Sequence, residues 1–199
     1  MNDNTTETAA ARDARPLRPE LRFFHPTGKG TGCAMTLALH PAHDTTDGSI
    51  FMALAAQLTV GDRRGPVPTF PRFDWENRIT VKLDFADLSK MLQVFRGECE
   101  SLEDGKGLYH RSARYVTRIV LRHLVEPVPG YSLEVYRSSP AGDGEQRAHM
   151  LLSPWEALGI SESIAGALAV VSFGIPAVIP REVRAAGPVA EGGRNEIAA

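Results

Sequence analysis

The sequence has few of the features that mark a membrane or secreted protein. No uninterrupted apolar run reaches the roughly 18 residues that a membrane span needs, and the longest, 164–179, contains serine, glycine and proline. The N-terminus carries acids and no apolar stretch, which argues against a signal peptide. Only two cysteines occur, Cys33 and Cys99, both among apolar neighbours. We therefore expect an intracellular, cytoplasmic protein with two packed, reduced thiols and no membrane partner.

The motifs of common enzyme classes are also missing. There is no nucleophile elbow and no complete phosphate loop; the stretch 28–31, Gly-Lys-Gly-Thr, lacks the strand before it and the helix after it. None of the six histidines has the spacing of a metal motif, and His40 and His43 come nearest. We expect no catalytic residue, no metal and no cofactor, and hence a non-enzymatic protein.

The whole chain has no large excess of positive or negative charge, but its charged residues are unevenly distributed. The net charge is −2, which argues mildly against a nucleic-acid binder, since such proteins are often basic. Between residues 105 and 155, however, seven arginines and lysines face four acids. The middle of the chain is therefore locally basic.

The 43% of hydrophobic residues is enough for one folded domain. Residues 1–20 and 181–199 are polar or rich in Gly, Ala and charge, and we expect disordered or flexible tails around a domain at 21–180. Alternation of apolar and polar residues predicts strands, and apolar residues three and four apart predict helices. The predicted strands are 31–40, 50–60, 78–84, 99–102, 117–126, 131–138 and 147–152; the helices are 85–95 and 153 to about 173.

Three strands before one helix, and about four before the next, indicate antiparallel sheets in an α+β fold. Ser153, Pro154 and Glu156 form a good start for the long second helix. Its later residues are nearly all apolar or small, so it is expected to be buried or to pack between subunits.

Three segments in this layout resemble the Whirly family. Residues 73–78, Phe-Asp-Trp-Glu-Asn-Arg, are similar to the family's Tyr-Asp-Trp-Ser-Arg-Lys segment, and 125–129, Val-Glu-Pro-Val-Pro, are similar to Val-Glu-Pro-Leu-Pro. Residues 152–176 resemble the family's last strand and helix. The basic Lys-Gly-Lys-Ala-Ala-Leu motif is matched only loosely by 29–35, Lys-Gly-Thr-Gly-Cys-Ala-Met, where the second lysine has no counterpart.

The resemblance implies two roughly perpendicular antiparallel sheets with a short and a long helix, and helices that form the core of a homotetramer. It also implies binding of single-stranded DNA along the sheets with little sequence preference. An RNA-binding protein of the same fold is the nearest alternative. A structural protein that binds only protein partners is a second. In a bacterium, the DNA-binding form would be associated with the nucleoid.

Non-specific binding of single strands needs cations along the phosphates and aromatic faces for the bases. We predict that Trp75 and Trp155 are structural and that His123 lies in the core. Residues on the polar side of the predicted strands, or in the loops beside them, supply both groups. The candidate nucleic-acid-binding residues are Lys29, Phe51, Arg78, Lys82, Tyr109, Arg111, Arg118, Arg122, Tyr136 and Arg147.

Overall fold

The computed structural model describes residues 20–42, 45–62, 64–139 and 144–174. Within these ranges the chain forms two antiparallel sheets and two helices, an α+β fold as predicted. The expected C-terminal tail at 181–199 lies outside the described residues. So does the expected N-terminal tail at 1–20, except for Glu20, which begins a strand.

Five strands form the first sheet. Its main path runs β1–β2–β3–β4, and β5 also pairs with β3. Apolar residues of β2 and β3, such as Met35 and Met52, point into the core, while the residues between them form the outer face. The strands are β1 Glu20–His25, β2 Cys33–His40, β3 Ser49–Thr59, β4 Arg72–Phe73 and β5 Ile79–Leu83.

Four strands form the second sheet in simple sequential order. Ile119, Leu133 and Met150 alternate with outward residues and are almost fully buried, so one side of this sheet faces the core and the other faces solvent. The strands are β6 Leu108–Arg111, β7 Val116–Leu124, β8 Gly130–Ser138 and β9 Glu145–Leu152.

The two helices, α1 Phe85–Phe95 and α2 Pro154–Phe173, follow the two sheets in the chain. Asp84 caps α1 in a reciprocal capping box with Asp87, and Ser153 caps α2 in the same way with Glu156. A capping box satisfies amide groups that the first turn of a helix leaves free. The predicted start of the second helix is therefore confirmed.

Helix α2 is long and apolar enough to span a membrane by length and composition, with a mean hydropathy of 1.4 over its best stretch. Core helices of soluble proteins pass the same test. One side of α2, with Ala157, Ile160, Ile164 and Val171, is buried in the same core as α1 and both sheets. Packing against this core explains why one side of α2 is apolar. It does not explain the opposite side, which is also apolar but exposed.

Three strands, β1, β4 and β6, were not predicted, and one predicted strand was wrong; β4 has only two residues. Strand β1 lies mostly in a stretch that the sequence placed before the first strand, and β6 follows a glycine turn and is only four residues long. Residues 99–102 form no strand: Ser101 makes an isolated bridge to Arg122, and a 3-10 turn follows at Leu102–Gly105. Such short segments have too few residues to show a period.

The alternation of apolar inward and polar outward residues that predicts the strand at 50–60 fails at the end of that strand. Leu58 and Val60 are exposed, whereas Gln57 is buried. The Gln57 side chain accepts hydrogen bonds from the Thr27 and Gly32 amides and donates to the Thr27 and Thr59 carbonyls. The buried Gln57 side chain thus satisfies backbone hydrogen-bonding groups of the turn before β2. Beside Gln57 the register between β3 and β4 shifts, and regular pairing of β3 ends there.

The two thiols differ, contrary to the expectation that both are packed. Cys33 is buried, and burial raises its pKa to about 11. Cys99 is exposed, in the irregular segment after α1. Both are free thiols.

A histidine–carboxylate pair links the second sheet to α1. His110 Nε2 of β6 lies 3.3 Å from Asp87 Oδ2. The Asp87 carboxylate raises the pKa of His110. Burial opposes ionisation of Asp87, but the His110 ring and the Asp84 amide lower its pKa below the usual value.

This pair predicts a pH-dependent stability. The contribution of His110 is complete below its unfolded pKa of about 6.5 and is lost as pH rises through the higher folded value. The contribution of Asp87 is lost only when pH falls through its lowered value. We expect His110→Gln to cost about 1 kcal/mol near pH 6 and less near pH 8. Urea unfolding of the natural chain and of His110→Gln at pH 6 and pH 8 measures the difference in unfolding free energy. An equal difference at the two pH values would contradict the prediction.

Candidate nucleic-acid interface

Four side chains form a row across the outer face of the second sheet. Tyr109 of β6 pairs with Arg118 of β7, Arg118 pairs with Tyr136 of β8, and Tyr136 pairs with Arg147 of β9. Because paired residues lie side by side and point to the same face, the four alternate as aromatic, cation, aromatic, cation from one edge to the other. We call this set the tyrosine–arginine row.

Neighbours in the row are in contact. The Arg118 guanidinium lies 5.6 Å from the centre of the Tyr109 ring, and the Arg147 guanidinium lies 5.4 Å from the centre of the Tyr136 ring. Both distances are within the range of cation–π attraction. Strands are spaced about 4.8 Å apart, so like residues recur at roughly 10 Å along the row.

The turn before β6 fixes the position of Arg118. Arg118 Nε donates to the Lys106 carbonyl at 2.7 Å, and its Nη2 donates to the Gly105 carbonyl at 3.2 Å. Gly107 has a φ of +80°, and a Cβ added there would lie 2.3 Å from the Ile119 carbonyl oxygen. The turn can approach β7 this closely only because residue 107 is glycine.

An acidic residue stands beside the row. Glu134 lies two residues before Tyr136 on β8 and pairs with His149 of β9. Its carboxylate accepts a hydrogen bond from the Tyr136 hydroxyl and one of 2.6 Å from Arg147 Nη2. These two donors lower the pKa of Glu134, so it is an anion at neutral pH.

A groove of about 580 Å³ lies on the outer face of the first sheet. Its floor consists of small side chains in the middle of the sheet: Thr36, Ala38, Ala53 and Thr80. The small floor leaves room between larger side chains on either side. We call this feature the aromatic groove.

Aromatic rings line the groove at two places. The Phe24 and Trp75 rings are 6.5 Å apart in an edge-to-face arrangement, and the His40 and Phe51 rings are 4.5 Å apart. Flat faces at these places suit planar groups such as nucleobases.

The charges of the groove are partly balanced. Arg22 is paired with Glu20 at 3.0 Å, and Arg78 donates to the Trp75 carbonyl. Lys82 pairs with Phe51 across β3 and β5 on the same face. Arg22, Arg78 and Lys82 therefore place three cations against one acid in and beside the groove.

The structure brings most of the predicted residues onto these two faces. Tyr109, Arg118, Tyr136 and Arg147 make up the row, with Arg111 and Arg122 further along β6 and β7. Phe51 and Arg78 line the groove, and Lys82 lies beside Phe51. Lys29 is exposed in the turn before β2 and belongs to neither set.

Sequence reasoning missed several residues of the groove. Phe24 was not among the predicted residues and Trp75 was predicted to be structural, and both line the groove. The alternation of Arg22 and Phe24 with Leu21 and Phe23 was the available signal. Glu134 was counted only as a charge. In the second sheet, His123 stacks on Tyr131 at 4.8 Å and is partly buried, close to its predicted core position.

No cluster of three or more His, Cys, Asp or Glu side chains that could hold a metal occurs within the described ranges. The two faces carry aromatic rings, guanidinium and ammonium groups and two carboxylates, Glu20 and Glu134. Such a surface can stack planar groups and pair with phosphates.

Comparison with solved structures identifies the architecture. The crystal structure of WHY1 from Arabidopsis thaliana matches with a TM-score of 0.60 and 13% identity, over 78% of this chain and 93% of that one. The fold is Whirly-like. The plant transcriptional regulator PBF-2 matches with a TM-score of 0.61 and 10% identity, over 79% and 84% of the two chains.

The MRP1/MRP2 structures from Trypanosoma brucei have a related fold, with a TM-score of 0.54 and 15% identity over 77% of this chain and 86% of that one. No family model and no curated protein matches the sequence. At these identities the likeness is one of fold. The Whirly-like fold explains the two sheets, each followed by a helix, and places the row and the groove on their outer faces.

Proposed function

We propose that this protein binds single-stranded nucleic acid, DNA in the first instance, with little sequence preference and without catalysing a reaction. The observation that carries the proposal is the tyrosine–arginine row. Alternating aromatic and cationic side chains match the alternation of bases and phosphates in a single strand, and aromatic stacking tolerates any base. The aromatic groove supplies a second stacking surface.

The proposal does not depend on the net charge. Attraction to phosphates depends on local charge, and Arg118, Arg122 and Arg147 lie on one face of one sheet. A duplex hides its base faces within the stack, whereas a single strand offers them to Tyr109 and Tyr136. We therefore expect preference for single strands.

Fluorescence anisotropy tests this function. The probes are labelled oligo-dT of about 30 nucleotides, an RNA of the same length and a duplex, at salt between about 50 and 200 mM. Affinity that is higher for the single strand and falls with salt supports the proposal, and the RNA arm decides which strand is preferred. Absence of binding to all probes at low salt would refute it.

We also propose that the protein is a homotetramer held together through α2. Trp155 is 75% exposed and Phe173 is 89% exposed, and Leu158 between them is also exposed. The prediction that Trp155 is structural is compatible with a place in such an interface. Exposed apolar patches of this kind mark interfaces, and the open space at Gly159 and Gly166 allows another helix to approach closely.

The assembly makes its own prediction. Light scattering should give the mass of a tetramer for the natural chain, and Trp155→Ser with Leu158→Ser should reduce it, because two apolar contacts leave the interface. Glu98→Ala, which changes an exposed polar residue outside α2, is the control. A monomeric mass for the natural chain would contradict the assembly.

A protein that binds only protein partners is the second candidate. The exposed apolar face of α2 favours it, since the same face could hold a different protein. This candidate predicts partner binding that is lost in the Trp155 and Leu158 variant, together with no affinity for any nucleic-acid probe.

A further inference from the structure

A carboxylate within a phosphate-binding face is unexpected, because it repels the ligand. Glu134 is such a carboxylate, and only 12% of its side chain is exposed. It is held by Tyr136 and Arg147, which are two of the four members of the row. An acid placed there by chance on a solvated sheet would extend into water.

The contacts of Glu134 are those that a phosphate would make. The carboxylate receives a guanidinium N–H, a phenol O–H and the electrostatic influence of His149. Guanidinium groups bind carboxylates and phosphates through the same charge-assisted hydrogen bonds. In the free protein, Glu134 therefore occupies the site on Arg147 that a ligand phosphate would use.

We propose that Glu134 is an internal competitor for phosphate that determines which polyanions the row accepts. A ligand must displace Glu134 from Arg147 before it gains that contact. A chain with stackable bases recovers binding energy on Tyr109 and Tyr136, whereas a base-free or double-stranded polyanion does not. Glu134 is thus a specificity-determining residue, and this inference rests on the proposed nucleic-acid function.

The same carboxylate positions the tyrosine. Its charge-assisted hydrogen bond holds the Tyr136 hydroxyl, and Arg147 lies over the ring of that residue. Removing the charge while keeping the shape should therefore free Arg147 and loosen Tyr136. The first effect strengthens binding to all polyanions, and the second weakens stacking alone.

The test compares Glu134→Gln with Glu145→Gln. Both remove one negative charge near Arg147, since Glu145 lies two residues before it on β9, but Glu145 makes no hydrogen bond to that side chain within the contacts described. The probes are labelled oligo-dT, a duplex of equal length and inorganic polyphosphate as a competitor. Thermal melting of each variant checks that the fold is retained.

We expect Glu134→Gln to bind the duplex about fivefold more tightly, with a salt slope steeper by about 0.9 for one added phosphate contact. The gain for oligo-dT should be about twofold, so preference for the single strand falls, because the introduced amide is a weaker, uncharged acceptor for the Tyr136 hydroxyl. Polyphosphate should become a better competitor. Adding Arg147→Ala should abolish the gains, and Glu145→Gln should show little of them.

Equal gains in the two glutamine variants would overturn the inference in favour of a general charge effect. Weaker binding of every probe by Glu134→Gln would overturn it in favour of a purely positioning role. If the natural chain binds oligo-dT and Glu134→Gln changes nothing, the inference fails while the proposed function stands. If the natural chain binds none of the probes, both fail.

Discussion

Tyr136→Ala is expected to weaken binding of single-stranded DNA by roughly 5- to 150-fold, because one stacked base contributes about 1–3 kcal/mol. Tyr136 is at the centre of the row, between Arg118 and Arg147. Arg118→Ala should weaken binding as well and lower the salt slope by about 0.7, the value for one phosphate contact with a single strand. Anisotropy titrations of oligo-dT at several salt concentrations measure both effects.

Arg96→Ala is the control for these variants. It removes the same charge from an exposed site at the end of α1, away from the second sheet's outer face. Arg118 also donates to two turn carbonyls, so Arg118→Ala could destabilise the fold. The melting temperatures of the Arg118→Ala and Arg96→Ala proteins must therefore be compared. If Arg96→Ala weakened binding as much as Arg118→Ala, the row would have no special role.

Gly107→Ala is expected to destabilise the protein by on the order of 3 kcal/mol and to impair binding. The added methyl group meets the Ile119 carbonyl oxygen at 2.3 Å, and the φ of +80° is unfavourable for alanine. Relief of this contact requires β6 to move away from β7. Such a movement separates Tyr109 from Arg118 and breaks the row at its first step.

Gly97→Ala isolates the steric part of that effect. Gly97 also has a positive φ, +71°, but a Cβ there meets nothing within 4 Å, so we expect a cost of only about 1 kcal/mol and normal binding. Urea unfolding and anisotropy on both variants measure the difference. Equal costs for the two substitutions would contradict the close approach of the turn to β7.

The regular elements were predictable because their periods are long enough to read. The eleven residues of α1 were predicted to the residue, and the strands β7, β8 and β9 to within two residues at each end. In each, side chains on one face meet a shared core, so burial imposes the period on the sequence. The strands that were not predicted, β1, β4 and β6, have only six, two and four residues, too few to show a clear period.

The outward residues of the proposed binding face were predictable one by one, but their arrangement was not. Alternation placed Arg118 and Tyr136 outward, yet their alignment with Tyr109 and Arg147 depends on strand register. Register follows from the lengths and conformations of the turns, such as the turn at Gly107. The alternation of residues within one strand does not contain this information. The role of Glu134 depends on the same alignment.

The hydrogen-bond partners of buried polar residues could not be predicted from sequence periodicity either. Gln57 is buried because it satisfies the Thr27–Gly32 turn, 25 to 30 residues earlier in the chain. Trp155 is exposed although it lies on a long apolar helix whose other side is buried in the core. The burial of Gln57 thus follows from partners that are distant in sequence.

The most direct test of the central claim is photocrosslinking of oligo-dT that carries 5-iodouracil, followed by mass spectrometry of the crosslinked peptides. The strand is proposed to stack on the outer faces of the two sheets. Crosslinks should therefore map to Tyr109 and Tyr136, with a second set at Phe24 or Trp75 in the groove. Crosslinks confined to α2, or to Lys29 and its turn, would contradict the assignment of the binding face.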